Sequence, residues 1–509
     1  MIFSKRSRGR MVSFITIFVL TQCQKSSFVD DAPIVDAILH DESSFFYVDT
    51  EHYPEGDRSL PIGVFDSGTG GLTVLDAIVR FDRHDNDSHN ADDDGDGVVD
   101  FREESFIYLG DQANMPYGTY ESEGKTGLLK EHILKDVQFL LGKRYYRTAK
   151  DAAYQMDKSP VKAVVIACNT ATAYGKEDIE KFMAKAGLDI PVIGVIDAGV
   201  RGALSVLDKD EDGSIAIFAT EGTVASMGYV MTLERQKKAL EYTGRIDAFQ
   251  QAGVGIAGAV DGAPECIAPG ATSPRDGYKG PSETNPNAMI DLSILGHYGF
   301  DWKGGRMLFE GDASSPKNPQ INSVKNYIAF HVVSLMEQIR KTPGAKPLKA
   351  VILGCTHYPF YTDIFRKELD RLAHYEEDGT YVYRGMMSEH IAIIDPAENT
   401  AIELYDYLKE KNLFDDDDLC SSEFYISVPN VLNDGVVLDT DRNFTYSYKY
   451  GREMGRIQEY VKCVPFSRIS LSTSTIQMLA EKIPSVYRII GCFHQENLKT
   501  VFLKDVEKF

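Results

Sequence analysis

Short apolar runs, each ending on a polar or reactive residue, recur along this chain. Ile62-Gly63-Val64-Phe65 ends at Asp66, and Ala163–Ala167 ends at Cys168. Pro191–Ile196 ends at Asp197, Ile215–Ala219 at Thr220, Ala350–Gly354 at Cys355 and Ile391–Ile394 at Asp395. Stretches with apolar residues at helical spacing, such as Leu72–Val79, lie between them. Continuous apolar strands alternating with helices predict parallel sheets buried on both faces. Ligands of such sheets bind beyond the carboxyl ends of the strands, and those ends carry Asp66, Cys168, Thr220 and Cys355. An internal echo, VVIACNT at 164–170 and VILGCTH at 351–357, puts one cysteine in each of two related units. The expected fold class is α/β: two pseudo-symmetric lobes with mainly parallel sheets flanked by helices and the active site in the cleft between them.

The same pattern sets the expected boundaries. Residues 24–60 read as a linker, 61–194 as the first lobe, 195–390 as the second, 391–428 as a return to the first and 429–509 as a C-terminal extension. Residues 82–104 are an acidic insertion, and 262–322, rich in Gly, Pro, Ser and Asn, read as long loops. In the tail, Ile476–Phe493 reads as a helix followed by a strand.

Composition narrows the class. Of 509 residues, 43% are hydrophobic and 26% charged, and the net charge is -22. Nucleic acid is therefore excluded as a partner on electrostatic grounds. Residues 1–23 join a basic start (Lys5, Arg6, Arg8, Arg10) to the apolar run Met11–Leu20 and then Leu20-Thr21-Gln22-Cys23. This is the grammar of a secretory signal, and the Leu-x-x-Cys ending resembles a bacterial lipoprotein signal, although Gln22 stands where a small residue is usual. The expected location is exported, periplasmic or membrane-anchored through a lipidated Cys23, and cytoplasmic if the signal does not work. Seven cysteines are too sparse for a disulfide-framework domain. A bridge among Cys420, Cys463 and Cys492 is open but is not supported by their spacing.

Two cysteines at strand ends suit one chemistry well. Racemisation removes an α-proton from one face of a carbon and returns one to the other. A base on each face does this without moving the substrate, and a thiol with a pKa of about 8.5 is suited to both duties. Taken singly, either cysteine reads better as a packed strand-end residue.

Together the motifs resemble those of glutamate racemases, within the aspartate/glutamate racemase superfamily. PIGVFDSGTGGLTVL (61–75) is similar to the family's opening strand and turn, and YLGDQANMPYG (108–118) to its next strand and loop. VVIACNTATA (164–173) and VILGCTHYP (351–359) resemble its two cysteine motifs; IPVIGVID, ATEGTVAS, IIDPAENTA and FYISV follow in family order. The resemblance implies a cofactor-independent racemase. Cys168 would serve the D-amino acid and Cys355 the L-form, with Asp66 assisting Cys168 and His357 assisting Cys355. It also implies that Ser67, Tyr117, Gly118, Asn169, Thr170, Thr223 and Thr356 bind substrate. The family's further Glu falls at Asp261 after AGVGIAGAV, with Gly253 where the family often has Cys. Asp261 reads equally as an assisting acid or a solvated loop residue.

Glutamate racemases typically supply D-glutamate for cell-wall peptidoglycan in the cytoplasm, so an exported chain suggests another amino acid, such as aspartate, or an exported binding protein that has lost turnover. A homodimer is compatible with the reading. Finally, 92–103 fits an EF-hand calcium loop: Asp92, Asp94 and Asp96 as early carboxylates, Val98 through its carbonyl, Asp100 through water and Glu103 closing. A structural Ca2+ is expected there, and a weaker second site at 208–213, which lacks the closing acid.

Overall fold

The computed structural model describes residues 28–92 and 94–509. The expected signal segment and Cys23 lie outside the described residues. Two sheets organise the chain. The first is six-stranded. It contains β1 (Ile62–Asp66), β2 (Phe106–Gly110), β3 (Ala163–Ile166) and β4 (Val192–Gly194). The second is four-stranded, from β5 (Gly213–Ala219), β6 (Ile246–Ala252), β7 (Leu348–Gly354) and β8 (Met387–Ile394). The chain then returns to the first sheet with β9 (Glu423–Pro429) and β10 (Val461–Pro465). All pairings within these two sheets are parallel except β9–β10.

The helices used below are α1 (Pro33–Leu39), α2 (Leu72–Val79), α3 (Thr126–Leu141), α4 (Asn169–Ala186), α5 (Val195–Ser205), α6 (Gly228–Ala239), α7 (Val324–Lys341), α8 (Thr362–Ala373), α9 (Pro396–Lys411), α10 (Thr473–Lys482) and α11 (Pro484–Glu496). Alternation along β1 sends Ile62 and Val64 into one core with α2, α9 and α11, and Phe65 into another with α1, α3 and α4. The second sheet is covered likewise. Phe218, Val351 and Leu353 pack with α7 and α8, whereas Ile217 and Ile352 pack with α5 and α6.

The structure corrects several expectations. Residues 28–60 are not a linker: Ile34, Val35 and Ile38 of α1 are buried, and the Tyr53 hydroxyl donates to Val161 O (2.8 Å). The apolar positions are too few for a strong periodic signal, but three of them in one short helix seal the core beside α3. The second sheet keeps its strand through Ile394, so the return begins with α9 rather than at 391. The run 191–196 is a strand only to Gly194, because Val195 opens α5. The tail ends in two helices and no strand; Pro484 breaks the helical run and starts α11. The extension is not a separate unit either, since β10 pairs with β9 and Cys492 of α11 is disulfide-bonded to Cys420. Among the described residues no helix is long and apolar enough to cross a membrane.

Candidate active site

Strand register brings the first group together. Phe65 of β1 pairs with Ile166 of β3, so Asp66 and Cys168 leave adjacent strand ends. Asp66 Oδ2 accepts from the backbone N–H groups of Gly68 (3.1 Å) and Gly71 (3.0 Å), which tie down the turn. Gly71 is required there: a Cβ would lie 2.5 Å from Asp66 Cβ and 2.8 Å from Ala167 Cβ. Cys168 is the N-cap of α4; its sulfur accepts from Ala171 N (3.4 Å) and its thiol donates to Ser67 Oγ (3.7 Å). Burial, reinforced by the neighbouring Asp66 carboxyl, pushes the Cys168 thiol up to about 12. Burial also raises Asp66, against the pull of the Gly71 N–H.

The second lobe repeats the arrangement with other partners. Ala219 of β5 pairs with Gly354 of β7, so Thr220 and Cys355 emerge side by side. Cys355 Sγ lies 3.6 Å from His357 Nδ1, and His357 Nε2 lies 3.1 Å from Asp261 Oδ1. Asp261 reaches this position because β6 is followed at once by the helix Ile256–Val260, which Asp261 caps. Burial alone would depress the His357 imidazole, but its bonds to Asp261 and Cys355 outweigh that and hold it up to about 10. At neutral pH both ring nitrogens therefore carry protons. Gly253, noted above, is compelled by Tyr358, whose hydroxyl oxygen would lie 2.1 Å from any added Cβ.

The lobes meet through Asn169. Its Nδ2 donates to Gly354 O (3.3 Å), and the Tyr229 hydroxyl donates to its Oδ1 (3.0 Å). A cavity of about 160 Å³ borders Asn169, Tyr229, Cys355 and Thr356 at this seam. Tyr229 carries no motif that would mark it in the sequence. It belongs here because its ring fills the space in front of Gly354, 2.8 Å from where a Cβ would stand. Asp395, at the end of β8, borders the same cavity and is raised by burial to about 6.

The expected binding residues divide. Asn169 and Thr170 open α4, and Thr356 faces Gly70 of the opposite lobe: a Cβ on Gly70 would lie 3.8 Å from Thr356 Oγ1. Thr223 is tied to Thr220, hydroxyl to hydroxyl at 3.0 Å. Gly118 is exposed at the start of a short helix, Gly118–Ser122. Tyr117 differs from expectation. Its hydroxyl is buried, 2.6 Å from both Asp111 Oδ2 and Asp136 Oδ2. Burial, with the Asp111 carboxyl beside it, raises Asp136 far above the carboxylate range. The Tyr117 hydroxyl is held between these two buried carboxyl groups. That hydroxyl serves the core and not the cleft.

The expected calcium ligands are not gathered. The buried Asp100 carboxylate takes His84 Nδ1 (2.7 Å) and Arg83 N (3.2 Å), while Asp96 accepts from Asn86 N (2.9 Å) and Val98 N (2.8 Å). Glu103 pairs with Arg102 (3.2 Å). Among the described residues no three His, Cys, Asp or Glu side chains converge as a metal site. Asp92, Asp94, Asp96, Val98, Asp100 and Glu103 as placed do not fit a bound calcium.

No family model matches the chain. A curated glutamate racemase of Oceanobacillus iheyensis is 34% identical over 183 residues, 36% of this chain and 50% of that protein. One from Geobacter metallireducens is 32% identical over 184 residues, 36% of this chain and 51% of its own length. The chain thus spans about half the length of these relatives. One from Clostridium novyi is 27% identical over 345 residues, 68% of this chain and 82% of that protein. Among solved structures, a glutamate racemase isoform from Bacillus anthracis has a TM-score of 0.40 at 24% identity, covering 72% of this chain and 87% of its own. The two cysteine motifs stand on paired strand ends, and the chain is similar in sequence to these glutamate racemases.

Proposed function

We propose that this protein is a cofactor-independent amino-acid racemase that interconverts L- and D-glutamate or a close acidic relative. The observation that carries the reading is the pairing of each cysteine with its own ionisable partner: Cys168 with Asp66, and Cys355 with His357 and Asp261. In the L-to-D direction Cys355, held 3.6 Å from His357 Nδ1, acts as the base. It takes the α-proton, and the buried Cys168 thiol gives its proton to the opposite face. In the reverse direction Cys168 is the base, and Cys355 the acid. Hydroxyls, amides and backbone N–H groups at the strand ends hold the carboxylates. The test is incubation of the full chain with L- and D-glutamate, aspartate and a panel of other amino acids in D2O. Deuterium at Cα with inversion is expected. Neither inversion nor exchange with any of them would leave a binding protein on a racemase scaffold.

The His357–Asp261 pair gives a pH prediction. The imidazole is raised, so the cation is present at neutral pH and lost as pH rises through about 10. Asp261→Asn removes the acceptor that raises it most. The alkaline limb of the kcat/KM profile should then move to lower pH by about one to two units. An unmoved limb would remove Asp261 from the reading.

Export is part of the proposal. The Cys420–Cys492 disulfide supports it, because such bonds persist in oxidising compartments. Mass spectrometry of the mature N-terminus and cell fractionation test it: an intact Met1 in the cytosol would overturn it.

A further inference from the structure

The tail turns back over the first lobe. Between β9 and β10, residues 444–453 lie across the loop that carries Met115–Gly118. Lys449 Nζ donates to Met115 O (2.6 Å), and Arg452 Nη2 donates to Asn114 Oδ1 (2.8 Å). Asn114 passes the restraint on, since its Nδ2 donates to both oxygens of Asp111 (3.0 and 2.9 Å), the acceptor of Tyr117. The Arg452 guanidinium is itself fixed over the rings of Phe444 (4.9 Å), Tyr448 (5.1 Å) and Tyr460 (4.0 Å). Further along, the Tyr446 hydroxyl donates to Glu123 (2.7 Å), Tyr450 meets Tyr120 edge-on (4.9 Å) and Lys125 pairs with Glu453 (2.8 Å). The extension therefore grips the loop from Asn114 to Lys125.

That loop abuts the catalytic turn. A Cβ on Gly68 would lie 2.7 Å from Met115 Sδ and 3.1 Å from Gln112 Oε1. Met115 thus rests on the turn that follows Asp66 and Ser67. A loop that must be ordered when a ligand arrives costs binding free energy, and ordering it beforehand removes that cost.

We propose that Phe444–Glu453 is a strap that pre-forms the 111–118 loop and thereby sets the affinity for substrate, with Lys449 and Arg452 as positioning residues. Its kinetic part rests on the racemase reading; its structural part does not. A loop held equally in ground and transition states acts on KM and leaves kcat nearly unchanged.

The test uses the full chain with Lys449→Met, Arg452→Gln and the pair combined. Hydrogen exchange should quicken by about tenfold or more at amides 112–120 in the double variant, with the strands of the first sheet unchanged. KM for the amino acid turned over should rise about fivefold or more, at least about 1 kcal/mol, with kcat within about twofold. Lys449→Arg, which keeps a cationic donor, should restore KM. Unchanged protection at 112–120 overturns the strap. Faster exchange with an unmoved KM overturns its role in affinity. Inactivity of the unmodified chain on every amino acid would overturn the racemase reading, while the exchange measurement would still decide the strap.

Discussion

Replacement of Cys168 or of Cys355 by alanine is expected to lower racemisation by about 10²- to 10⁴-fold, the usual contribution of a positioned acid or base. The two losses should look alike in overall rate and differ in what survives. With Cys168→Ala, Cys355 still faces one side of the α-carbon, so it can remove a proton there and return a solvent deuteron to the same face. Exchange without inversion is then confined to one enantiomer. With Cys355→Ala the other enantiomer should exchange, through Cys168. Proton NMR in D2O of each enantiomer, with chiral separation of the product, reads both quantities. A variant that still inverts its substrate at the unmodified rate would show that its cysteine is only a packed strand-end residue. Both cysteines are buried, each 6% exposed, as a packed strand-end residue would be. Burial and the neighbouring Asp66 carboxyl push the Cys168 thiol up to about 12, which suits it to the role of acid when the L-form reacts.

A second large effect is expected far from the cysteines. Lys162 and Glu104 form an ion pair at 2.7 Å with side chains only 1% and 2% exposed. Lys162 Nζ also donates to the carbonyls of Arg58 (2.7 Å) and Leu413 (2.9 Å), which joins residues before β1, the start of β3 and the end of α9. Lys162→Met strips the partner from these acceptors at once. The first lobe should lose about 3–5 kcal/mol, the usual cost of breaking a buried pair by removing one member. Burial holds Glu104 up to about 7 despite the lysine, so in the variant it takes a proton rather than stay charged and unpaired. The single tryptophan, Trp302, is partly buried and packs against the core of the second lobe. Urea unfolding of Lys162→Met should therefore move the far-UV circular dichroism transition more than the Trp302 fluorescence transition. Equal shifts would mean that the lobes unfold as one unit, and no shift would remove the pair from the stability of the fold.

The legible part of this chain is the part where a local rule coincides with a strand end. Continuous apolar runs located the strands, and their last residues, Asp66, Cys168 and Cys355, are the ones the two registers bring out on adjacent ends. Features built by long-range contact were not legible. Asp261 reads equally as an assisting acid or a solvated loop residue until His357 is found 3.1 Å away across 96 residues of chain. Tyr229 gains its place only by packing on Gly354, and Cys420 meets Cys492 over a separation of 72 residues. Tyr117 was read by its motif, but two buried aspartates claim its hydroxyl. The acidic loop shows the same limit: ligand spacing sets which side chains are near one another, whereas the burial of Asp100 beside His84 decides where one of them points.

The antiparallel pairing of β10 with β9 has a consequence for the solution behaviour of the molecule. Without β10, the outer flank of β9 would offer a row of open N–H and C=O groups from Glu423 to Pro429, the template on which a foreign strand adds. A chain cut after Val428 would carry that sticky border into solution and should self-associate through it. The last eighty or so residues thus act as a hem, which keeps the first sheet from growing beyond its own molecule.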